Sequence, residues 1–206
     1  MFFKRLVKGL VGAASISLVV LAVLNFLPIG KVSSLVQSNE VVGPTNSLSG
    51  RSGNDGPILA VKIDDTAAAH PQAGLEDADI VYIEQVEGGL TRLAAIFSSK
   101  IPAVIGPVRS ARISDIEILQ QFGKVAFAYS GAQKKLLPVI AKANVINLGA
   151  QRQSPLIYST DPLRRSPTAM MLQAQKLMAN VAEDALPVAT SKFVGWTFSE
   201  KPETGT

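Results

Sequence analysis

Apolar and polar positions divide the chain into three regimes. The first is one unbroken apolar run, "GLVGAASISLVVLAVLNFLPIG", in which Gly9 to Gly30 supply 22 uncharged residues between Lys8 and Lys31. As a helix at about 1.5 Å per residue it reaches roughly 33 Å, enough for a hydrocarbon core of about 30 Å. The second, "KVSSLVQSNEVVGPTNSLSGRSGNDG", residues 31–56, is rich in Ser, Asn and Gly and has no apolar period, as expected of a flexible linker. The third begins at Pro57, where short apolar runs alternate with turn residues.

Within that third regime the pattern predicts elements. Five of the six residues Ile58–Ile63 are apolar, which suits a buried strand ending at Asp64 and Asp65. "DIVYIEQV", 79–86, and "LTRLAAIF", 90–97, are rich in β-branched and aromatic residues. Gly88-Gly89 lies between them, so the two read as an antiparallel hairpin. Ile113, Ile116, Leu119 and Phe122 recur at helical spacing, with Gly123 as the C-terminal stop. "KVAFAYS" and "VINL" read as strands, with a helix kinked or delimited by Pro138 between them. Residues 166–184 read as one helix, with Ser166 as N-cap, Pro167 in the first turn, and apolar residues at 170, 171, 174, 177, 178 and 181. The expected fold is mixed α/β (α+β): a mixed sheet with helices packed on its faces, preceded by an N-terminal transmembrane helix. The expected organisation is an anchor or signal peptide over 1–30, a linker over 31–56, an α/β domain over 57–186, and the start of a truncated C-terminal region over 187–206.

Charge changes the picture once it is located. The formal net charge is +4, from 20 basic and 16 acidic residues. Lys4, Arg5, Lys8 and Lys31 all flank the apolar run, and without those four the chain holds 16 basic and 16 acidic residues. The basic balance therefore gives no argument for nucleic acid. Three cations before the run keep the N-terminus cytoplasmic and send the rest across the membrane. The run reads either as an uncleaved signal anchor or as a signal peptide cut after Ser34, in which case the domain is secreted. The absence of cysteine excludes disulfides, thiolate chemistry and N-terminal lipidation of a cysteine. His70 is the only histidine, so a histidine-based triad or a multi-histidine zinc site is also excluded. No cofactor and no metal are assigned.

Candidate chemistry concentrates in "GPVRSAR", 106–112, where Arg109 and Arg112 follow a Gly-Pro turn and precede a helix start. Two guanidiniums, the Ser110 hydroxyl as a helix cap, and free helix amides can hold a phosphate or carboxylate. Asp64 ends the first strand; Glu84 and Glu87 end the second, followed by Thr91 and Arg92. These carboxylates could line the same cleft, or pair internally with the arginines. Arg164 and Arg165 could extend a cationic rim.

The blocks "AVKIDD", "HPQAGLEDADIVYIEQVEGGLTRLAAIFSS", "GPVRSAR" and "AYSGA" together resemble the YerB-like lipoprotein family, a bacterial extracytoplasmic domain family of unknown function, over about Pro57 to Met171. The resemblance implies a membrane-attached protein outside the cytoplasm, with a mixed α/β N-terminal domain and a second, smaller C-terminal domain. This chain departs from the pattern in having no lipobox cysteine, in His70 where members tend to have arginine, and in "RSPTAMM" where they show a Pro-His-Asn run. The family brings no reaction with it.

Three functional readings follow. One is a membrane-anchored binding module of the cell envelope that recognises an anionic ligand through Arg92, Arg109, Arg112, Ser110, Thr91, Asp64, Glu84 and Glu87. Its partner is then an anionic envelope glycan, a lipid headgroup or the acidic segment of an envelope protein. The second is an envelope-polymer hydrolase or transferase with Asp64 or Glu84 as base and the arginines stabilising developing charge. The third is a scaffold whose charges form internal ion pairs.

Overall fold

The six residues Leu59–Asp64 are all buried and form β1, the middle of the larger sheet. The computed structural model describes residues 43–195, to which all structural statements refer. The hairpin β2 (Ile80–Gln85) and β3 (Thr91–Phe97) lies on one side of β1. On the other side lie β5 (Val125–Ala128) and β6 (Val145–Asn147). The order is β2-β3-β1-β5-β6, antiparallel across β2, β3 and β1 and parallel across β1, β5 and β6. A second antiparallel sheet has the order β4-β8-β7, from β4 (Val104–Ile105), β7 (Tyr158–Thr160) and β8 (Met170–Gln173). Three helices complete the fold: α1 (Ile113–Gln120), α2 (Leu137–Lys142) and α3 (Ala174–Glu183). The mixed α/β expectation and the antiparallel hairpin hold.

Strand alternation sends β1 side chains to two separate cores. Leu59, Val61 and Ile63 pack with Leu93, Ala95 and Phe97 against the small sheet and α3, meeting Ile105, Leu172, Leu177 and Val181. Ala60 and Ile96 face the other way, onto Leu119, Phe122, Phe127 and Ile140. Lys62 and Asp64 share that second face with Ala60, since they are two and four residues on.

Three expectations are corrected. Residues 170–173 are a strand, not the first turns of a helix; only Ala174–Glu183 is helical. β8 is the central strand of the small sheet, hydrogen-bonded to β4 and β7, and pairing on both edges outweighs the apolar spacing that a short run shares with a helix. Residues 43–56 are not a spacer. Leu48 is 1% exposed, and the Asn46 amide donates to the Asn54 carbonyl and to the Ser98 and Ser191 hydroxyls. Residues 189–191 likewise belong to the domain, because the Ile58 N–H donates to the Ala189 carbonyl and the Ser191 N–H to the Gly56 carbonyl. The run Gly9–Gly30 lies outside the described residues; among those described, no helix is long and apolar enough to cross a membrane.

Candidate functional site

The two parallel strands β1 and β5 pair only over Leu59–Val61 and Ala126–Ala128. Beyond that point the segment 107–111 wedges between their continuations. Its Arg109 N–H donates to the Lys62 carbonyl, and the Asp64 N–H to the Pro107 carbonyl. On its other side the Ser130 N–H donates to the Arg109 carbonyl, and the Ala111 N–H to the Gly131 carbonyl. The segment therefore fills the gap between the two strands beyond their carboxyl ends. Glycine at 106 has a steric cause, since a Cβ there would lie 2.8 Å from the Met171 sulfur. The wedge sets Arg109, Ser110 and Arg112 at the carboxyl ends of the two strands, and α1 begins immediately after it.

Ser110 does not cap α1. Arg112 occupies the N-cap, and its N–H donates to Asp115 Oδ2 at 2.6 Å. Ser110 contributes its carbonyl instead, accepting from Arg92 Nη1 at 3.0 Å and from Arg112 Nη1 at 3.4 Å.

Beneath the wedge lies a buried charged triad. Lys62 Nζ, 0% exposed, donates to Glu84 Oε1 and, at 2.7 Å, to Asp115 Oδ1. Glu84 also accepts from the Ser114 hydroxyl. One cation thus faces two carboxylates. Burial raises the Asp115 pKa to about 6; the Lys62 charge opposes this and the Glu84 charge adds to it. A carboxyl whose folded pKa is raised holds its proton more tightly in the folded state. Its contribution to stability is therefore largest below about pH 3.8 and is lost as pH rises through about 6. The stability of wild type relative to Asp115→Asn is expected to increase on acidification through that window, as read by urea denaturation at a series of pH values. A pH-independent difference would contradict the assignment.

Above the triad, three guanidiniums gather. Arg92 is opposite both Asp64 and Glu84 in strand register, so the three side chains share one face. Yet Arg92 is only 9% exposed, and it is absent from every ion pair among the described residues. Burial first, then the charges of Arg112 and Arg109, pull its pKa below the ordinary arginine value, against Asp64 and Glu87. Arg109 Nε is 2.7 Å from Asp64 Oδ2, but neither atom completes an aligned hydrogen bond, so this is an ionic contact only. Arg112 forks onto the exposed Glu87, with Nε 2.9 Å and Nη2 2.7 Å from the same Oε2. That hydrogen bonding holds the Glu87 carboxyl below its usual range.

Residues 42–187 match the family described as "Protein of unknown function (DUF3048) N-terminal domain". The chain belongs to this family. It is 40% identical over 81 residues to "Putative lipoprotein YerB" of Bacillus subtilis (strain 168), a match that spans 38% of this chain and 24% of that protein. The crystal structure of the YerB protein from Bacillus subtilis shares the fold, with a TM-score of 0.65 at 23% identity, over 72% of this chain and 52% of that one. The chain thus spans about half of the solved relative and about a quarter of the curated one.

In this DUF3048 domain, Arg92, Arg109, Arg112, Asp64, Glu87 and the Ser110 carbonyl come together. Glu84 does not line a cleft with them; it is 8% exposed and committed to Lys62 and Ser114. Thr91 is turned away, its hydroxyl donating to Asp65 Oδ2 at 2.6 Å. Arg164 staples the 69–71 loop through the Ala69 and Pro71 carbonyls, and so is not a free cationic rim. Lys62 was the residue that sequence reasoning passed over. Its signal was a lone cation inside the otherwise apolar "ILAVKI".

Proposed function

We propose that the domain is an extracytoplasmic, membrane-attached module of the bacterial cell envelope that binds an anionic group on Arg92, Arg109 and Arg112. The observation that carries this reading is Arg92: a largely buried guanidinium, beside two others, whose one hydrogen bond is to a peptide carbonyl. Buried charges normally keep a counter-charge in contact, because an uncompensated ion in a low-dielectric setting costs several kcal/mol, on the order of 3–5. A phosphate or carboxylate would supply what the chain withholds, and planar guanidiniums suit both by bidentate bonding. Membrane attachment is supported by the lipoprotein name of the B. subtilis relative. The apolar run Gly9–Gly30 is long enough, as a helix, to serve as the attachment. The geometry gives the hydrolytic reading no support, since its bases Asp64 and Glu84 are 0% and 8% exposed and turned onto cations.

Glu87 sits where such an anion would bind. It is 59% exposed by side chain, so its pairing with Arg112 is readily exchanged for an external anion. Thermal-shift titration with inorganic phosphate tests the reading. Glu87→Gln is expected to tighten phosphate binding by about three- to tenfold, since it removes a competing charge. Arg109→Ala is expected to weaken it by about tenfold or more. Equal phosphate responses from all three proteins would end the proposal.

A further inference from the structure

Arg112, alone of the three arginines, also lines a groove of about 390 Å³ between the starts of α1 and α2, together with Glu87, Ile113, Lys135, Leu136 and Val139 among others. Its lining mixes two chemistries. It carries two cations, Arg112 and Lys135, and one carboxylate, Glu87, which also accepts from Gln133 Nε2 at 3.3 Å, leaving one positive charge in surplus. It also carries Ile113, 58% exposed, Val139, 40% exposed, and the buried Leu136. Neither exposed side chain belongs to the two core clusters of the described domain, and apolar surface concentrated beside a charged site marks a binding groove rather than scattered surface residues. The volume is that of a small-ligand pocket, near the lower end of the range of about 300–1,000 Å³.

We infer that this groove takes an amphiphilic anion: a single phosphate or carboxylate head joined to an aliphatic chain. The head replaces the Glu87 carboxylate on the Arg112 fork, with Lys135 beside it. The chain lies along Ile113, Leu136 and Val139, removing that surface from water. A bare anion leaves the apolar wall wet, and a neutral amphiphile leaves the surplus charge unmatched, so the lining fits a ligand with both parts. This inference rests on the anion site proposed above and adds the class of molecule that carries the anion.

Isothermal titration of the full chain with methyl phosphate, octyl phosphate, octanoate and octyl glucoside tests it. The comparison protein is the full chain carrying Ile113→Gln and Val139→Thr, uncharged changes at exposed positions that keep the fold, checked by circular dichroism. Because both proteins carry Gly9–Gly30, any binding to that apolar run cancels in the comparison. Octyl phosphate is expected to bind wild type about tenfold more tightly than methyl phosphate, since methylenes buried on the groove add affinity. The double variant is expected to lose that gain and keep its methyl phosphate affinity. The same pattern with octanoate would support the inference with a carboxylate head. Methyl phosphate binding without any octyl gain would overturn the groove and leave the anion site standing. Octyl glucoside binding as tightly as octyl phosphate, and equally sensitive to the double variant, would overturn the requirement for charge. No binding of either phosphate would overturn both readings.

Discussion

Replacing Lys62 with methionine is expected to destabilise the domain by about 3–5 kcal/mol, the cost of breaking a buried ion pair from one side. Methionine fills nearly the same volume, so little of the loss is a cavity effect. What remains is electrostatic: Glu84 and Asp115, 8% and 0% exposed, lose the one cation between them and face each other without water. Urea denaturation should show the loss as a lower midpoint at unchanged m-value. The triple variant Lys62→Met, Glu84→Gln, Asp115→Asn should recover most of the loss, because it removes the unpaired charges together. A loss below about 1 kcal/mol for Lys62→Met alone would mean that the triad is not the buried network described. The triad also has a positional role. Asp115 bridges Lys62 on β1 to the Arg112 N–H at the start of α1, so it fixes the backbone from which Arg112 reaches Glu87. A chain without Lys62 should therefore bind anions less well even where it remains folded.

Much of this arrangement was legible in the sequence, for identifiable reasons. The runs at 58–63, 79–86 and 90–97 are β-branched and bounded by turn residues, and tertiary packing had no reason to override them. The register, with Glu84 opposite Arg92, is that of a hairpin centred on Gly88. Gly123, with φ of +80°, marks the stop after α1 that its position suggested.

The errors have physical causes as well. "MMLQ" carries an apolar pattern that helix and strand share, and only its two partner strands decide between them. Residues 43–56 hold to the domain largely through the hydrogen bonds of Asn46, Ser49 and Arg51, together with one buried leucine, so a search for apolar period passes over them. In the site, spacing brought Arg109 and Arg112 to attention. It could not reveal that the backbone at Arg112 is extended, with φ −125° and ψ 163°, or that the two side chains take different partners, Asp64 and Glu87. Lys62 was visible as an anomaly. Its partners come from β2 and from α1, at separations of 22 and 53 residues, which no local pattern encodes.

Arg92 carries the central claim, and its replacement by methionine has the second large expected effect. If Arg92 serves folding, it is an odd choice: it is largely buried, flanked by Arg109 and Arg112, and bonded only to the Ser110 carbonyl. Sites kept for ligands commonly carry such locally unfavourable groups, at a cost to stability. Methionine would retain the apolar stem contacts and remove a charge that has no counter-ion in contact.

The decisive measurement is urea denaturation of wild type and Arg92→Met, each with and without inorganic phosphate. The account predicts that, without phosphate, the variant is at least as stable as wild type to within about 1 kcal/mol. It also predicts that phosphate, which stabilises wild type by mass action, no longer stabilises the variant, corresponding to a loss of affinity of about a hundredfold. A variant that is several kcal/mol less stable, on the order of 3 or more, yet still stabilised by phosphate like wild type, would show that Arg92 belongs to the structure and would contradict the account.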